Sequence, residues 1–591
     1  MTRIMTRPLR IGRLSVAIRP GPRCFSAAFL LFAFVPAATQ AAMPLQTSPV
    51  WTSAPDGHYA TGGAWADVDG DGWLDMVVSN GNDMARQTLV IYHNNGDGTL
   101  PLHPTWSATD IDYHGHLDVG DINGDGLVDV AVGVYIGAAG FSQPGRVKVY
   151  LNDGAGAFHA TPDWIAADPV YCFSVALGDA DGDGDLDLAC ACGDDYQTHP
   201  ERQRIFFNQN GTLETTPSWR SSETGYALDV CWGDVDEDGD LDVAFCGAST
   251  PLRLYRNGQT QGAGIATTAS WQNTDLPEHG NTSAFGDWNG DGYPELAVAD
   301  NNQMGGAGRF KVYANLAGTL GTTPLWLSND GGYGSHVSWI DLDLDDDLDL
   351  VTGRWWGACR IYENTGGTLT LQPVWVSTTN SVVENMFYGD LDNAALRDTG
   401  RTLASGDGAR TFFPLGTAPV YSVDGVWVDG VPQPATAYAA HLGNGWISFD
   451  TPPPSGLSNV SIHYSYSIEN DLGVTNWDPD IGNYVFQNDG VPTGTREPAL
   501  AMADLHARPN PLVNATWLRH EGPRGSYVRL RILDVNGRLV RTLHDGPIDG
   551  ERVTWEWDRR DDGGRRVTSG TYFARLDAAE NAGRARLVVL D

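Results

Sequence analysis

The sequence predicts an all-β chain. Its body is a seven-bladed β-propeller, with a small β-sandwich inserted in it and another β-sandwich at the C-terminus. Three observations lead there. An acidic nonapeptide recurs at near-constant spacing. Short runs rich in Val, Ile, Tyr and Trp, bounded by Gly and Asn, surround each copy as strands would. One unit is split between the two ends of the repeat region, as closure of a ring requires. Composition agrees: 71 Gly and 33 Pro in 591 residues favour turns over long helices, and 41% hydrophobic residues with 20 Trp exclude a disordered chain.

The chain opens with six arginines and no acid in residues 1–24, then an apolar run from Phe25 to Val35. Small residues at Thr39 and Ala41 follow, so 1–41 reads as a secretory signal peptide. The run is short for a bilayer span, and no later stretch is long and apolar enough for one. Its removal takes the net charge from −37 to −43. That balance argues against nucleic acid or an anionic membrane as main partner and suits a cation binder.

The nonapeptide is DVDGDGWLD at Asp67, with relatives starting at Asp121, Asp179, Asp234, Asp287 and Asp341 and a worn copy, DLDNAALRD, at Asp390. Successive starts lie 54, 58, 55, 53, 54 and 49 residues apart, the length of a four-stranded unit. The inner strand A precedes each loop, as SVALG precedes Asp179. Strand B follows, as DVAVGV from Asp129, then strand C, as VYLN from Val149 or IYEN from Ile361. A strand D ending in Trp completes the unit, at Trp106, Trp164, Trp219, Trp271, Trp326 and Trp375. These tryptophans are expected to pack between units rather than to stack on sugars.

A seventh Trp strand ends at Trp51, ahead of the first A strand, while the seventh A strand near Met386 lacks its B and C strands. These return as DLGVTN from Asp471 and NYVFQN from Asn483. The propeller therefore spans 44–398, completed by 468–489, and 399–467 is an insertion of alternating strands between Pro and Gly turns. A linker, 490–500, leads to the C-terminal module, 501–591, where VRLRIL from Val528 is a half-buried strand, Val535–Gly537 a turn and SGTYFARL from Ser569 another strand.

The acidic loops have the chemistry of calcium sites. Calcium takes six to eight oxygens, which side chains at places 1, 3, 5 and 9 and a carbonyl at 7 can supply, with Gly at 6 for the sharp turn. The ligand sets are Asp67, Asp69, Asp71 and Asp75; Asp121, Asn123, Asp125 and Asp129; and Asp179, Asp181, Asp183 and Asp187. They continue with Asp234, Asp236, Asp238 and Asp242; Asp287, Asn289, Asp291 and Glu295; and Asp341, Asp343, Asp345 and Asp349. Without metal such carboxylates repel one another. Loop six has Asp346 in place of Gly, and loop seven has Ala394 and Ala395, so loop seven is expected to be empty or weak. An EF-hand would need an acid at place 12, where loops one and two have Val78 and Val132.

On these motifs the repeats resemble the FG-GAP/VCBS repeats of integrin-α-type propellers over about 350 residues. The resemblance implies fold and calcium. Activity is left open, since its bearers include adhesins, lectins and some polysaccharide-active enzymes. The C-terminal module resembles the Ig-like domain of flagellar hook-capping proteins and type IX secretion sorting domains, through its PNP, the run from Asp534 to Leu543 and SGTYFARL. That likeness implies an Ig-like sandwich and engagement with export machinery.

Five places before each loop stand Gly62, His116, Ser174, Asp229, Thr282, His336 and Asn385, with His114 and His279 starting two of the same strands. As strand A lines the channel, these residues are expected to form a polar ring at the mouth opposite the loops. His116, Ser174, Asp229, Thr282, His336 and Asn385 are the candidate ligand-binding residues. Six cysteines remain after signal removal; Cys172 with Cys190 and Cys231 with Cys246 could pair, or all could be buried thiols. No nucleophile elbow, P-loop or HExxH is present. The sequence thus leads to a secreted or cell-surface, calcium-binding, non-catalytic propeller for an extracellular glycan or protein ligand. The alternative is a polysaccharide-active lyase or hydrolase on the same scaffold.

Overall fold

The computed structural model describes residues 43–275, 279–303, 305–345, 347–393, 398–490, 505–508, 510, 512–522, 524–535, 538–550, 552–578 and 582–590. The expected signal peptide, nearly all of the linker and most of the Val535–Gly537 turn lie outside the described residues. Among the described residues every element is a strand apart from two 3-10 turns of three residues each. No helix among them is long and apolar enough to cross a membrane.

Among the described residues, seven four-stranded antiparallel sheets follow one another along the repeats. Their inner strands are Ala60–Ala66, His114–Gly120, Cys172–Gly178, Ala227–Gly233, Gly280–Gly286, Gly334–Ile340 and Val383–Gly389. Each packs against the next, and the last packs against the first, so the sheets form a closed cycle. The seventh sheet runs Trp51–Thr52, Tyr484–Phe486, Asp471–Asn476, Val383–Gly389, weaving together segments from the two sides of the repeat region. The second strands, such as Asp129–Val134, are buried at every residue. A strand covered on both faces can be apolar throughout, so DVAVGV does not alternate.

The tryptophan begins the outer strand rather than ending it. Most outer strands are only two residues long, as Trp106–Ser107 and Trp164–Ile165 are. Trp51, Trp164, Trp219, Trp271, Trp326 and Trp375 pack edge-on against Tyr92, Phe206, Tyr255, Tyr313, Tyr362 and Phe486, with centroids 5.2–5.7 Å apart. Several indole N–H groups also donate to backbone carbonyls of the following unit, as Trp164 does to Leu213 at 3.2 Å and Trp375 to Leu45 at 2.9 Å. This packing joins sheets through the large apolar area and edge geometry of aromatic pairs.

Among the described residues the cysteines are free thiols. Cys172 lies opposite Cys192 rather than Cys190, and Cys231 lies opposite Ala244 rather than Cys246. The pairings considered from sequence therefore face the wrong partners across the strands.

The insertion and the C-terminal module do not form two separate sandwiches. Strand Asp398–Ala404 of the insertion pairs in parallel with Arg552–Trp557 of the C-terminal module, from Gly400 opposite Arg552 to Leu403 opposite Trp555. One seven-stranded sheet results, four strands from the insertion and three from the C-terminus. A four-stranded sheet including Tyr527–Asp534 and Gly570–Ala578 covers its C-terminal part, around a core with Leu518, Val528, Leu530, Trp555, Trp557 and Leu576. The insertion also sits on the loop end of the ring. Phe412 and Trp446 join the core around Ile122, Leu186 and Leu241, and a Cβ on Gly184 would lie 2.6 Å from the amide nitrogen of Asp450.

Candidate functional site

The acidic loops join inner strand to second strand at one end of the ring, and each is built on the same hydrogen bonds. The carboxylate at place 1 accepts the backbone N–H at place 6: Gly72 to Asp67, Gly126 to Asp121, Gly184 to Asp179, Gly239 to Asp234 and Gly292 to Asp287, all at 2.8–3.0 Å. Gly72 and Gly126 have φ of +91° and +86°, a left-handed conformation that glycine adopts without a Cβ penalty. The acid at place 9 opens the second strand and is the most buried ligand: Asp75, Asp129, Asp187, Asp242, Glu295 and Asp349 are at most 1% exposed. In loops one to five its carboxylate accepts the N–H at place 2, as Asp187 accepts from Ala180 at 2.8 Å.

Its second oxygen accepts the N–H of an asparagine just after the third strand. These asparagines are Asn94, Asn152, Asn208, Asn257, Asn315 and Asn364. Each amide then donates to the place-2 carbonyl of the preceding sheet's loop: Asn152 to Val68, Asn208 to Ile122, Asn257 to Ala180, Asn315 to Val235 and Asn364 to Trp288, at 2.6–2.9 Å, and Asn94 to Leu391 at 3.0 Å. The asparagine thus ties its own loop to its neighbour's. The residues were in plain sight as the final N of VYLN and IYEN, but only the fold reveals that they clasp sheets.

Burial raises these carboxyls. Asp75 is raised to about 6, Asp129 to about 7, Asp242 to about 8 and Glu295 to about 9; backbone N–H bonds oppose the rise, while nearby loop carboxylates add to it. Asp179 and Asp234 at place 1 are raised to about 7 for the same reason.

The donors fit a hard cation. They are all oxygens, and one buried oxygen each of Asp67, Asp181, Asp236, Asp343 and Asp349 has no hydrogen-bond partner. Carboxylate oxygens of Asp67, Asp69 and Asp71, of Asp179, Asp181 and Asp187, of Asp234, Asp236 and Asp238, and of Asp341, Asp343 and Asp345 lie within 4.8 Å of one another. Loops two and five use Asn123 and Asn289 at place 3, and there Asn123 donates to Asp125 at 3.0 Å and Asn289 to Glu295 at 2.6 Å. Loop four differs: the Arg256 guanidinium reaches Asp236 at 2.8 Å and Asp242 at 2.9 Å.

Loop seven departs from expectation. Its ninth place is not Asp398, which opens the first strand of the insertion. Asp471 takes the place from beyond the insertion, accepting from Leu391 N at 2.9 Å and Asn488 N at 2.8 Å as its counterparts do. Oxygens of Asp390, Asp392 and Asp471 come within 4.8 Å of one another, so a fifth acidic cluster stands where an empty or weak loop was expected. Burial raises Asp471 to about 8.

At the other end, the expected polar ring is mostly occupied in stapling sheets. Ser174 donates to Asp229 at 2.7 Å, and the other Asp229 oxygen accepts Ser283 N at 2.8 Å. Thr282 donates to Ser335 O at 3.2 Å and accepts Val337 N at 2.9 Å. Asn385 N donates to Thr475, whose hydroxyl bonds Thr61 O. Two members stand apart. His116 Nδ1 is 4.0 Å from Asp229, its Nε2 has no partner, and neither ring nitrogen of His336 has one. Burial and His116 lower His336 to about 3, so it is neutral.

Residues 67–132, 134–190, 234–298 and 287–352 match the FG-GAP-like repeat. These segments, similar to the FG-GAP-like repeat, lie in the closed cycle of four-stranded sheets. No curated protein matches the chain. Solved structures similar to it include BBS1N in complex with ARL6DN, soaked with mercury, at 11% identity, with 60% of this chain and 93% of that chain covered and a TM-score of 0.40. Others are Sqt1 of Saccharomyces cerevisiae, at 11%, 73%, 97% and 0.37, and the computationally designed Ika8 protein, at 12%, 58%, 94% and 0.33, in the same order.

Proposed function

We propose that the chain is an exported, calcium-binding propeller of seven blades that binds an extracellular glycan or protein and carries out no chemistry. Its C-terminal module is read as Ig-like and as the part that engages export or surface attachment. The observation that carries the metal reading is the set of buried, unpartnered carboxylate oxygens in loops of one common geometry. The acids of the six regular loops would hold calcium, with Asp390, Asp392 and Asp471 as a seventh set. Bound calcium supplies positive charge to corners that otherwise hold several carboxylates. The stapling of sheets by Ser174, Asp229 and Thr282 favours a rigid binding scaffold over an acid–base centre at the ring.

The test is elemental analysis of the purified mature protein, with a glycan and matrix-protein binding screen in calcium and in chelator. Tightly held calcium and at least one calcium-dependent ligand are expected. A metal-free protein, or one that binds nothing, overturns the reading. One observation favours the enzyme alternative. Glu384, near the mouth opposite the loops, is raised to about 8 by burial and so could serve as a protonated acid. Shortened or unsaturated products from a polysaccharide would establish it.

A further inference from the structure

Between the loop end of the ring, the insertion and the C-terminal module lies a cavity of about 2280 Å³. Ordinary small-ligand pockets hold roughly 300–1,000 Å³, so this one has room for a chain of several units. Its floor runs into the channel as far as His116 of the polar ring, and its roof includes one face of the seven-stranded sheet. Strand alternation makes that face. Along Thr516–Glu521 and Arg552–Trp557, Leu518, Val553 and Trp555 enter the C-terminal core, while Trp517, Arg519, Arg552, Thr554 and Glu556 line the cavity. Asn514, Arg560 and Arg566 are exposed and mark the rim. His441 joins the insertion to the ring: Asn444 N donates to its Nδ1 at 3.1 Å, so its Nε2 carries the hydrogen that it donates to Asp118 at 3.3 Å.

The cavity is polarised. Among the described residues its roof and rim hold Arg410, Arg519, Arg552, Arg560 and Arg566 against three carboxylates, Asp407, Glu556 and Asp558. Those acids are engaged: Asp407 accepts Ala409 N at 2.8 Å, Glu556 accepts Ser405 N at 2.7 Å, and Asp558 meets Arg541. Arg519 stands opposite Thr554, which makes Arg519 and Arg552 diagonal neighbours on adjacent strands. Burial raises the Tyr464 hydroxyl, and both guanidinium charges oppose the rise. The guanidinium carbon of Arg552 lies 4.9 Å from the Tyr466 ring centroid, and that of Arg410 lies 5.9 Å from the Trp517 centroid. Stacking engages the flat face of a guanidinium and leaves its in-plane N–H groups to hydrogen bonds.

The floor offers flat rings and unused acceptors. Trp232, Phe285 and Trp339 of the inner strands are half-buried and line the cavity. The indole N–H groups of Trp232 and Trp339 donate to Ala176 O and Ala284 O, both at 3.2 Å, which fixes their rings. Deeper, His116 is 4% exposed and its Nε2 has no partner. In loop four, Glu237 lines the cavity and its buried Oε2 accepts no hydrogen bond. The place-1 acids of loops three and four bond their own backbone N–H groups and, on the calcium reading, are neutralised by the ion. A sugar chain bearing carboxylates answers roof and floor together. Its C–H faces meet the rings, its hydroxyls reach Glu237 and His116, and its carboxylates take guanidinium forks. An acidic peptide lacks the sugar rings and hydroxyls, and a neutral sugar lacks the charge. We propose that this cavity binds a uronate-bearing glycan, with one end in the channel and its carboxylates on the arginines of the roof. The proposal rests on the binding reading above and names its ligand class.

The experiment titrates the calcium-loaded full chain calorimetrically with tetramers of galacturonate and of mannuronate, the methyl ester of the first, a neutral glucose tetramer and a glutamate tetrapeptide. At least one uronate tetramer is expected to bind at least about tenfold more tightly than the ester, glucose and peptide probes. Arg519→Gln with Arg552→Gln should weaken it by about tenfold or more, with calcium content unchanged. Arg560→Gln with Arg566→Gln should weaken it by about threefold, since these groups are exposed and screened. The rim pair keeps the test open should the roof pair misfold. Equal binding of the ester, glucose or peptide probe, or full affinity in either folded variant, overturns the proposal. Failure of both uronates while the broad screen still finds a ligand removes this proposal alone; failure of that screen as well removes the binding reading too.

Discussion

The two ends of the ring behave differently. At the loop end sheets one to five solve the same problem with the same groups: a place-1 carboxylate on a Gly N–H, a buried place-9 acid and an asparagine reaching the neighbouring loop. At the mouth the sheets diverge. Sheet one offers Asn82 and Asp83, sheet two a hairpin of Ile136–Gly137 with Gly140–Pro144, sheet three Asp194 to Tyr196, and sheet six Trp355 and Trp356. Joining identical neighbours is a task that repeats around the ring, so identical residues serve it. A ligand without that symmetry can be met only by residues that differ from sheet to sheet.

Removal of calcium should give the largest contrast between the ends. Chelation is expected to lower the melting temperature by more than about 10 °C, because each ion bound only to the folded state adds about 2.7 kcal/mol at a hundred times its Kd. Scanning calorimetry with excess chelator checks it, and an unchanged curve would remove the metal from the loop end.

Next comes the clasp. Asn208 is buried and donates to Ile122 O at 2.7 Å and Leu186 O at 3.1 Å. Asn208→Ala leaves buried carbonyls unsatisfied and should cost about 2–4 kcal/mol in urea unfolding. A loss near zero would reduce the asparagines to bystanders.

The seventh loop sharpens the comparison further. Asp471→Asn should lower the calcium stoichiometry by one, whereas Asp398→Asn should leave it intact, as elemental analysis can decide. The reverse result would return the ninth place to Asp398 and make the gathered acids incidental.

pH gives a smaller and oppositely signed effect in the two metal states. Place-9 acids raised to about 6 for Asp75, 7 for Asp129 and 9 for Glu295 hold protons in the folded metal-free chain that the unfolded chain has released. Metal-free stability should therefore be greatest below about pH 4 and fall as pH rises through about 9. The calcium-loaded chain should gain stability over the same interval, since binding needs the carboxylates ionised. Parallel pH profiles of the two states would contradict the burial argument. Smallest of all, Trp356→Ala at the mouth should change stability by less than about 0.5 kcal/mol, because its ring is largely exposed.

The sequence by itself determined what a short stretch of chain can enforce. A nine-residue acidic turn folds on its own backbone, so places 1 and 6 could be assigned from spacing alone, and the fourfold strand count located the missing strands at Trp51, Asp471 and Tyr484. Only the tertiary structure decided what depends on separate segments meeting. Asp471 replaces Asp398 because strand pairing, not chain adjacency, sets which acid reaches Asp390. Arg256 enters loop four from the end of the third strand. Gly400 to Leu403 continue the C-terminal sheet because an open strand edge exposes hydrogen-bonding groups that another strand can satisfy. Spacing carries no record of such meetings, since chain closure costs grow slowly with length and leave distant partners undetermined until the whole ring is packed.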